Sequence, residues 1–148
     1  RGKGEMKDWR NEMQVLPIGK GKKLRDGDDI AVLSIGPIGN EVIKAIEMVK
    51  EAGVSIAHYD MIYLKPLDEE LLHEIGQKYN RIITVENGVI KGGFGSAVLE
   101  FMADNGYTPH VKRIGVPDAF IEHGSIPELY QLCGMDAESI AKQLKKEN

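Results

Sequence analysis

Four histidines are the first side chains in this sequence whose chemistry could be catalytic or metal-binding: His58, His73, His110 and His123. None of them has metal-ligand spacing with another histidine or with the single cysteine. His58 falls in a predicted strand, His73 on a predicted helix and His110 at a predicted strand start, which are positions typical of packing or surface residues. His123 lies in the predicted loop FIEHGS, and loops carry function more often than regular elements. It is therefore the histidine that we keep as a candidate functional residue.

Two further side chains, Glu86 and Cys133, are isolated candidates for a reactive group. Glu86 ends a predicted central strand beside a glycine-rich loop, but one carboxylate without a partner is no acid–base pair. Cys133 lies at the end of a short apolar helix, where an inert buried thiol is expected. No serine occupies a nucleophile elbow. The residues alone therefore predict no catalytic site and no metal site.

Three glycines, Gly92, Gly93 and Gly95, fall within four positions after the central strand and before a helix. Such a strand, loop and helix start can present backbone N–H groups to an anion. The spacing is not G-x-G-x-x-G after a first strand, and no acidic residue follows at the end of a second strand to bind a ribose. Two interpretations stay open: an anion or nucleotide site, and glycines needed for turn geometry and close helix packing, which we favour.

The elements that must position these residues alternate between strand and helix. Asn40, Asp68 and Asp136 are predicted N-caps, and Asn87-Gly88 is a turn signal at the end of the central strand. Periodicity predicts strands at residues 19–25, 30–35, 55–60, 81–86 and 110–116, and helices that begin near residues 41, 69, 97, 126 and 137.

This alternation predicts an α/β fold of three layers, α/β/α, in which helices cover both faces of a mainly parallel sheet of about five strands. Lys112 and Arg113 indicate that the last strand lies towards an edge. Residues 1–16 are polar and of mixed charge, and we interpret them as a linker from an absent upstream domain. Residues 17–148 are predicted to form the domain.

The bulk composition excludes several classes of protein. The chain has 148 residues, of which 42% are hydrophobic and 28% charged, and its net charge of −4 argues against nucleic acid as a partner. We interpret the basic segment GKGKKLR as a solvated strand rather than a phosphate patch. One cysteine allows no internal disulfide and indicates a reducing, cytoplasmic compartment. No apolar run approaches the length of a membrane span.

Three segments together resemble the C-terminal domain of the transketolase superfamily of thiamine-diphosphate enzymes: DMIYLKPLD at 60–68, TVENGVIKGGFGSA at 84–97 and IGVPDAFIEHGS at 114–125. Within it, the 1-deoxy-D-xylulose-5-phosphate synthase family is the most similar. LPIGKG at 16–21 and LCGMDAESI at 132–140 extend the resemblance over nearly the whole chain. The sequence departs from that family at Ile62, where arginine is frequent, and at Asn87, where a second acidic residue is frequent. We expect these departures to alter only local charge contacts at the surface.

The resemblance implies a parent transferase that joins pyruvate to D-glyceraldehyde 3-phosphate with loss of CO2, for isoprenoid, thiamine and pyridoxal synthesis. Its cofactors are Mg2+ and thiamine diphosphate, the electron sink for an acyl carbanion. In the family the groups that bind both lie in upstream domains, so no catalytic residue, cofactor ligand or metal ligand is implied in this chain. The implied partners are the upstream domains of the same chain and a second copy in a homodimer, without nucleic acid or membrane.

Arg1-Gly2 resembles the end of the family's Y-P-R-G motif, whose arginine holds the substrate phosphate. The planar guanidinium suits this task because it bonds phosphate bidentately. Arg1 is thus a candidate substrate-phosphate residue, with a solvated linker residue as the alternative. Two other identities stay open: the C-terminal domain of another thiamine-diphosphate enzyme, such as a transketolase or a 2-oxoacid dehydrogenase β subunit, and a free-standing module that binds an anion or nucleotide.

Overall fold

Five strands form one sheet in the computed structural model of the chain, which describes residues 15–145. They are β1 Lys22–Arg25, β2 Ile30–Ile35, β3 Ile56–Asp60, β4 Arg81–Val89 and β5 His110–Val116. The spatial order is β1-β3-β2-β4-β5, with β2 to β5 parallel and β1 antiparallel to β3 at one edge. The predicted α/β fold with a mainly parallel sheet is confirmed, and β5 lies at an edge as its charged residues indicated.

Helices cover both faces of this sheet. They are α1 Gly39–Met48, α2 Glu69–Lys78, α3 Phe94–Asp104, α4 Ile126–Leu132 and α5 Ala137–Leu144. Side chains of β2 alternate between the two faces: Ile30 and Val32 pack with α1 and α5, while Ala31 and Leu33 pack with α2 and α3. Apart from Ser34 the strand is apolar, as expected for a strand with both faces buried.

Two of the three predicted N-caps are confirmed. The carboxylates of Asp68 and Asp136 each accept a hydrogen bond from the backbone N–H three residues later. The prediction for Asn40 is wrong, because α1 begins at Gly39 with Ile38 as its N-cap and without a side-chain cap. Backbone carbonyls of the preceding turn, residues 36–38, accept from the first N–H groups of α1 instead.

The Asn87-Gly88 pair lies inside β4, so the prediction that it ends the central strand is wrong. The pairing of β4 with β5 shifts register between Val85 and Val89, and the strand then continues. Val85 is opposite Ile114 and Val89 is opposite Val116, so residues of β4 bulge out between these pairs. A bulge of this kind disrupts the ladder locally, and Glu86 lies at its start, still paired in register with Ile35 of β2.

Residues 1–14 and 146–148 fall outside the described part of the chain, and the prediction for Arg1 and most of the predicted linker lie there. The division of the chain at residue 16 therefore stays a prediction. Among the helices of residues 15–145, none has the length and apolar character needed to span a bilayer.

Candidate functional site

The carboxyl ends of the four parallel strands meet at one side of the sheet, which we name the carboxyl edge. The segments that follow these strands are residues 36–38, 61–68, 90–93 and 117–125. Helices α1, α2 and α3 all begin there. Ligands of parallel α/β folds bind outside this edge, where helix N-termini can hold an anion.

Glu86 places an internal anion at the N-terminus of α3. The backbone N–H of Phe94 donates to Glu86 Oε2 at 2.7 Å, and that of Gly95 donates to Glu86 Oε1 at 2.9 Å. The side chain is buried, with 4% of its surface exposed. A carboxylate so placed gains from charge-assisted hydrogen bonds and from the positive end of the helix dipole.

The other N–H groups of the first turn of α3 also have acceptors within the protein. Those of Ser96 and Ala97 both donate to Gly93 O at 3.1 Å, and that of Gly92 donates to Ser96 Oγ at 3.0 Å. The four first N–H groups of the helix, residues 94–97, are therefore paired. The geometry does not support an anion or nucleotide site at the glycine-rich loop.

Close packing explains why glycines stand in this loop. A Cβ atom on Gly93 would lie 2.1 Å from Glu86 Oε2 and 2.4 Å from Val89 O. One on Gly95 would lie 2.5 Å from Thr84 Oγ1. Gly92 instead adopts a φ of 73°, which other residues rarely adopt. The glycines thus serve turn geometry and helix packing, the interpretation that the sequence favoured.

Arg113, on the neighbouring strand β5, forms hydrogen bonds with the glycine-rich loop and the start of α3. Its Nη1 donates to Ile90 O at 2.7 Å and to Ser96 Oγ at 2.8 Å. The sequence marked this residue only as a sign of an edge strand. The contacts connect β5 with the loop across more than sixteen positions of sequence, so no local signal could have revealed them.

Helix α2 has its own internal carboxylate. Asp68 accepts from the backbone N–H of Leu71 at 3.2 Å and from that of Gly21 at 2.9 Å. Lys20 Nζ lies 3.5 Å from Asp68 Oδ1 and also forms an ion pair with Glu70. The helix N-termini of the carboxyl edge are therefore occupied by carboxylates and carbonyls of the domain itself.

His58 is a buried structural histidine. Its Nε2 lies 2.8 Å from Ser34 Oγ, and 1% of its surface is exposed. Burial lowers the pKa of His58 to about 4, although the nearby Asp60 charge acts in the opposite direction. The imidazole is therefore neutral near pH 7. Its partner Ser34 lies against the start of α1, where a Cβ on Gly39 would approach Ser34 Oγ to 2.9 Å.

The other candidate side chains do not converge on one site. His73 Nδ1 lies 2.9 Å from Tyr107 Oη, and its ring packs against Phe101. His110 is exposed at the start of β5, on the side of the sheet opposite the carboxyl edge, whereas His123 is exposed in the loop 117–125. Cys133 is half-buried with a free thiol. Across residues 15–145, no three His, Cys, Asp or Glu side chains are grouped so that they could hold a metal ion.

The two positions at which the sequence departs from the resembled family, Ile62 and Asn87, lie near the carboxyl ends of β3 and β4. Ile62 has a φ of 57°, a left-handed conformation that is rare for a β-branched residue. Its N–H donates to Asp60 Oδ1 at 3.1 Å. Asn87, the other departure, is exposed.

An apolar cavity of about 280 Å³ opens between the ends of β4 and β5 and helix α4. It begins beside the loop 117–125, and its walls carry no charged side chain. The lining residues are Asn87, Val116, Ile121, Ile126, Leu129, Tyr130, Cys133 and Met135. This cavity suits an apolar group rather than a phosphate.

Comparison with known proteins assigns this arrangement to a family. The family model described as "Transketolase, C-terminal domain" matches residues 19–140. A 1-deoxy-D-xylulose-5-phosphate synthase from Parabacteroides distasonis is 99% identical over 148 residues, which are 100% of this chain and 23% of that protein. The protein of the same name from Bacteroides thetaiotaomicron is 60% identical over 99% of this chain and 23% of that protein. The chain thus spans about a quarter of the length of these curated relatives.

Solved structures share the fold. A structure titled "Split gene transketolase, inactive beta4 tetramer" matches with a TM-score of 0.78 and 30% identity, over 88% of this chain and 45% of that chain. Transketolase from Campylobacter jejuni matches with a TM-score of 0.62 and 13% identity, over 84% of this chain and 18% of that chain, and shows the fold alone. Because the family match includes all five strands of the described sheet and the glycine-rich loop, the chain belongs to the transketolase C-terminal domain family.

Proposed function

We propose that the chain is the C-terminal domain of a 1-deoxy-D-xylulose-5-phosphate synthase and has no catalytic activity by itself. The observation that supports this most directly is the 99% identity over the whole chain to part of a protein of that name. Its task is then to pack against the upstream domains, and to contribute to a homodimer, so that the cofactor cleft formed elsewhere keeps its shape.

The parent reaction joins pyruvate to D-glyceraldehyde 3-phosphate with loss of CO2 in the cytoplasm. It uses thiamine diphosphate with Mg2+, and its product feeds isoprenoid, thiamine and pyridoxal synthesis. The resemblance of Arg1-Gly2 to the Y-P-R-G motif supports Arg1 as the residue that holds the substrate phosphate.

The described residues do not fit a site for thiamine diphosphate and Mg2+. Glu86 and Asp68, the buried carboxylates at the carboxyl edge, are engaged by backbone N–H groups of α3 and α2. The N–H groups that could receive a diphosphate at α3 are paired within the domain. This engagement supports a packing role and disfavours the alternative of an anion-binding module.

The rival parents are a transketolase and a 2-oxoacid dehydrogenase β subunit. Identity to the synthases is 99% and 60%, whereas identity to the two transketolase structures is 30% and 13%. The difference in identity favours the synthase.

A domain exchange tests the proposal. In the Bacteroides thetaiotaomicron relative, the C-terminal part is replaced by this chain, and product formation is measured with thiamine diphosphate and Mg2+ present. We expect the chimera to be active and the relative truncated before this domain to be inactive. Full activity of the truncated enzyme would show that the domain is dispensable.

Calorimetry tests the proposal that the isolated chain has no cofactor site and no activity by itself. Thiamine diphosphate with Mg2+, titrated into the isolated 148-residue chain, is expected to give no binding heat. The full-length relative serves as the positive control. Micromolar binding to the isolated chain would contradict the assignment of the cofactor groups to upstream domains.

A further inference from the structure

Exposed apolar side chains concentrate at the carboxyl edge. Twelve large apolar side chains are exposed among residues 15–145, and seven of them lie within or next to the segments at this edge or just before Gly19, which packs on Pro66. Phe120 is the extreme case, at 108% of its reference exposure, because it touches almost nothing in the domain. An exposed group of this kind marks an interaction surface. The seven are Val15, Leu16, Ile18, Leu64, Val89, Phe120 and Ile126.

The cavity beside α4 belongs to the same surface. Ile121 and Ile126 line it, and Ile121 is the residue next to Phe120 in the chain. Lys91 Nζ pairs with Asp118 Oδ2 at 3.0 Å, and both side chains are exposed. An apolar centre beside a charged rim is the usual anatomy of a protein interface.

The polypeptide enters the domain at this same edge. Strand β1 is antiparallel, so its first residue, Lys22, is opposite Asp60, the last residue of β3. The segment just before it is fixed there, since the N–H of Gly21 donates to Asp68 Oδ2 and Gly19 packs closely on Pro66. The described residues that lead into β1, Gly19 to Gly21, therefore lie at the carboxyl edge.

The curated relatives extend far beyond the part that matches this chain, which covers 23% of their length. A tethered upstream segment is presented to the edge at an effective concentration of about millimolar, well above that of a free second copy. Chain entry therefore favours an intramolecular occupant.

We propose that the carboxyl edge is the docking surface for the upstream part of the same polypeptide, which covers Phe120 and places an apolar side chain in the cavity beside α4. The proposal rests on the proposed function, since it needs a parent protein with upstream domains. It specifies the face and the partner that the packing role leaves open.

Hydrogen exchange tests it directly. Amide exchange is compared between the isolated chain and the full-length Parabacteroides distasonis relative. We expect amides of residues 117–126 to exchange about tenfold or more slowly in the full-length protein. Amides around Met48, at the opposite side of the sheet, are expected to exchange equally in both.

A pair of variants of the full-length protein sharpens the test. Phe120→Asp places a charge in the proposed interface and is expected to return exchange at residues 117–126 to the rate of the isolated chain. Met48→Asp is the matched control, because Met48 is 58% exposed at the end of α1, away from the edge. It is expected to leave that protection unchanged.

Three outcomes would overturn the proposal. Protection around Met48 instead of residues 117–126 would place the interface on another face. Equal effects of both variants would show that Phe120 has no special role. Sedimentation that reveals a dimer of the isolated chain, dissociated by Phe120→Asp, would make a second copy the occupant. Product formation by the full-length protein is measured separately, so loss of the docking proposal and loss of the proposed function are distinguishable.

Discussion

Glu86 is the residue on which the glycine-rich loop depends. Its carboxylate accepts from two backbone N–H groups of α3 within a buried site, where hydrogen bonds to a charge are worth more than at the surface. The sequence identified Glu86 as a candidate but supplied no partner for it. The partner is a helix terminus, which is a backbone feature and has no residue signature.

We expect Glu86→Gln to lower the free energy of unfolding by about 1–3 kcal/mol, because an amide offers one acceptor oxygen where the carboxylate offers two. Urea unfolding followed by circular dichroism measures this. Glu100→Gln, on an exposed position of α3, is the control and is expected to change stability by less than about 0.5 kcal/mol. Equal losses in both variants would contradict the capping role.

His58 predicts a pH dependence of stability. Its pKa is lowered by burial to about 4, against 6.5 for the ordinary group. Above pH 6.5 the His58 imidazole is neutral in both the folded and the unfolded chain. Between pH 6.5 and about 4, the imidazole is protonated in the unfolded chain but stays neutral in the folded chain. The free energy of unfolding is therefore lost across that window, by about 2 kcal/mol at about pH 5.

The measurement compares unfolding at about pH 7 and about pH 5 for the parent chain and for His58→Gln. The variant should lose less stability on acidification, because it lacks the titrating group. His123→Gln, in an exposed loop, should behave like the parent chain. If the free energy of unfolding of His58→Gln fell on acidification as much as that of the parent chain, this assignment would be refuted.

At the scale of elements, the glycine-rich loop is a packing device between β4 and α3. Glu86 follows Ile82 and Thr84 on the face of β4 that packs against α3, and Gly93 lets the loop pass over the carboxylate. Hydrophobic periodicity predicted the strand and the helix, whereas the Asn87-Gly88 dipeptide predicted a turn between them. The turn signal was overridden because β5 continues beside β4 and supplies hydrogen-bond partners past the bulge.

Gly93→Ala is expected to lower the free energy of unfolding by about 1–3 kcal/mol, because the new methyl group would overlap Glu86 and the carbonyl of Val89. Thermal and urea unfolding both report the change. Gly124→Ala is the matched control, since its closest neighbour is the flexible end of Leu129 at 3.3 Å. A Gly93 variant as stable as the Gly124 variant would mean that the loop relaxes without loss.

At the scale of the whole molecule, the two core clusters share the strands of one sheet. Leu72 on α2 lies in one cluster and Ile140 on α5 in the other, and both are fully buried. Since β2 contributes to both, neither face can lose its helices without exposing the same strand. We therefore expect the domain to unfold as one cooperative unit.

Leu72→Ala and Ile140→Ala are each expected to lower the free energy of unfolding by about 2–5 kcal/mol. Each should shift the same single transition, with coincident midpoints by far-ultraviolet circular dichroism and by tyrosine fluorescence. Leu99→Ala, on the exposed side of α3, is the control and should change the free energy of unfolding by about 1 kcal/mol or less. Two separate transitions in either variant would show that the faces unfold independently.

The role proposed for Arg1 belongs to the full-length enzyme. Arg1→Ala there is expected to raise KM for D-glyceraldehyde 3-phosphate by about tenfold to a hundredfold, because hydrogen bonds to a charged phosphate are lost. Arg1→Lys should restore part of the affinity, since it keeps the charge without the planar fork. Arg10→Ala, in the same predicted linker, is the control. An unchanged KM for the Arg1 variant would leave the solvated linker residue as the interpretation.

The sequence by itself determined the alternating elements, the mainly parallel sheet and the caps at Asp68 and Asp136. These features depend on residues a few positions apart, so local pattern is enough to define them. The resemblance to the transketolase C-terminal domain likewise came from contiguous motifs, and comparison with known proteins confirms it.

Only the tertiary structure decided which side chains meet. Glu86 caps a helix eight positions away, His58 pairs with Ser34 across 24 positions, and Arg113 holds a loop from another strand. It also showed that the polypeptide enters the domain at the edge where Phe120 is exposed. These relations are set by strand order and by the bulge in β4, and the free energy that fixes both comes from packing between elements distant in the chain.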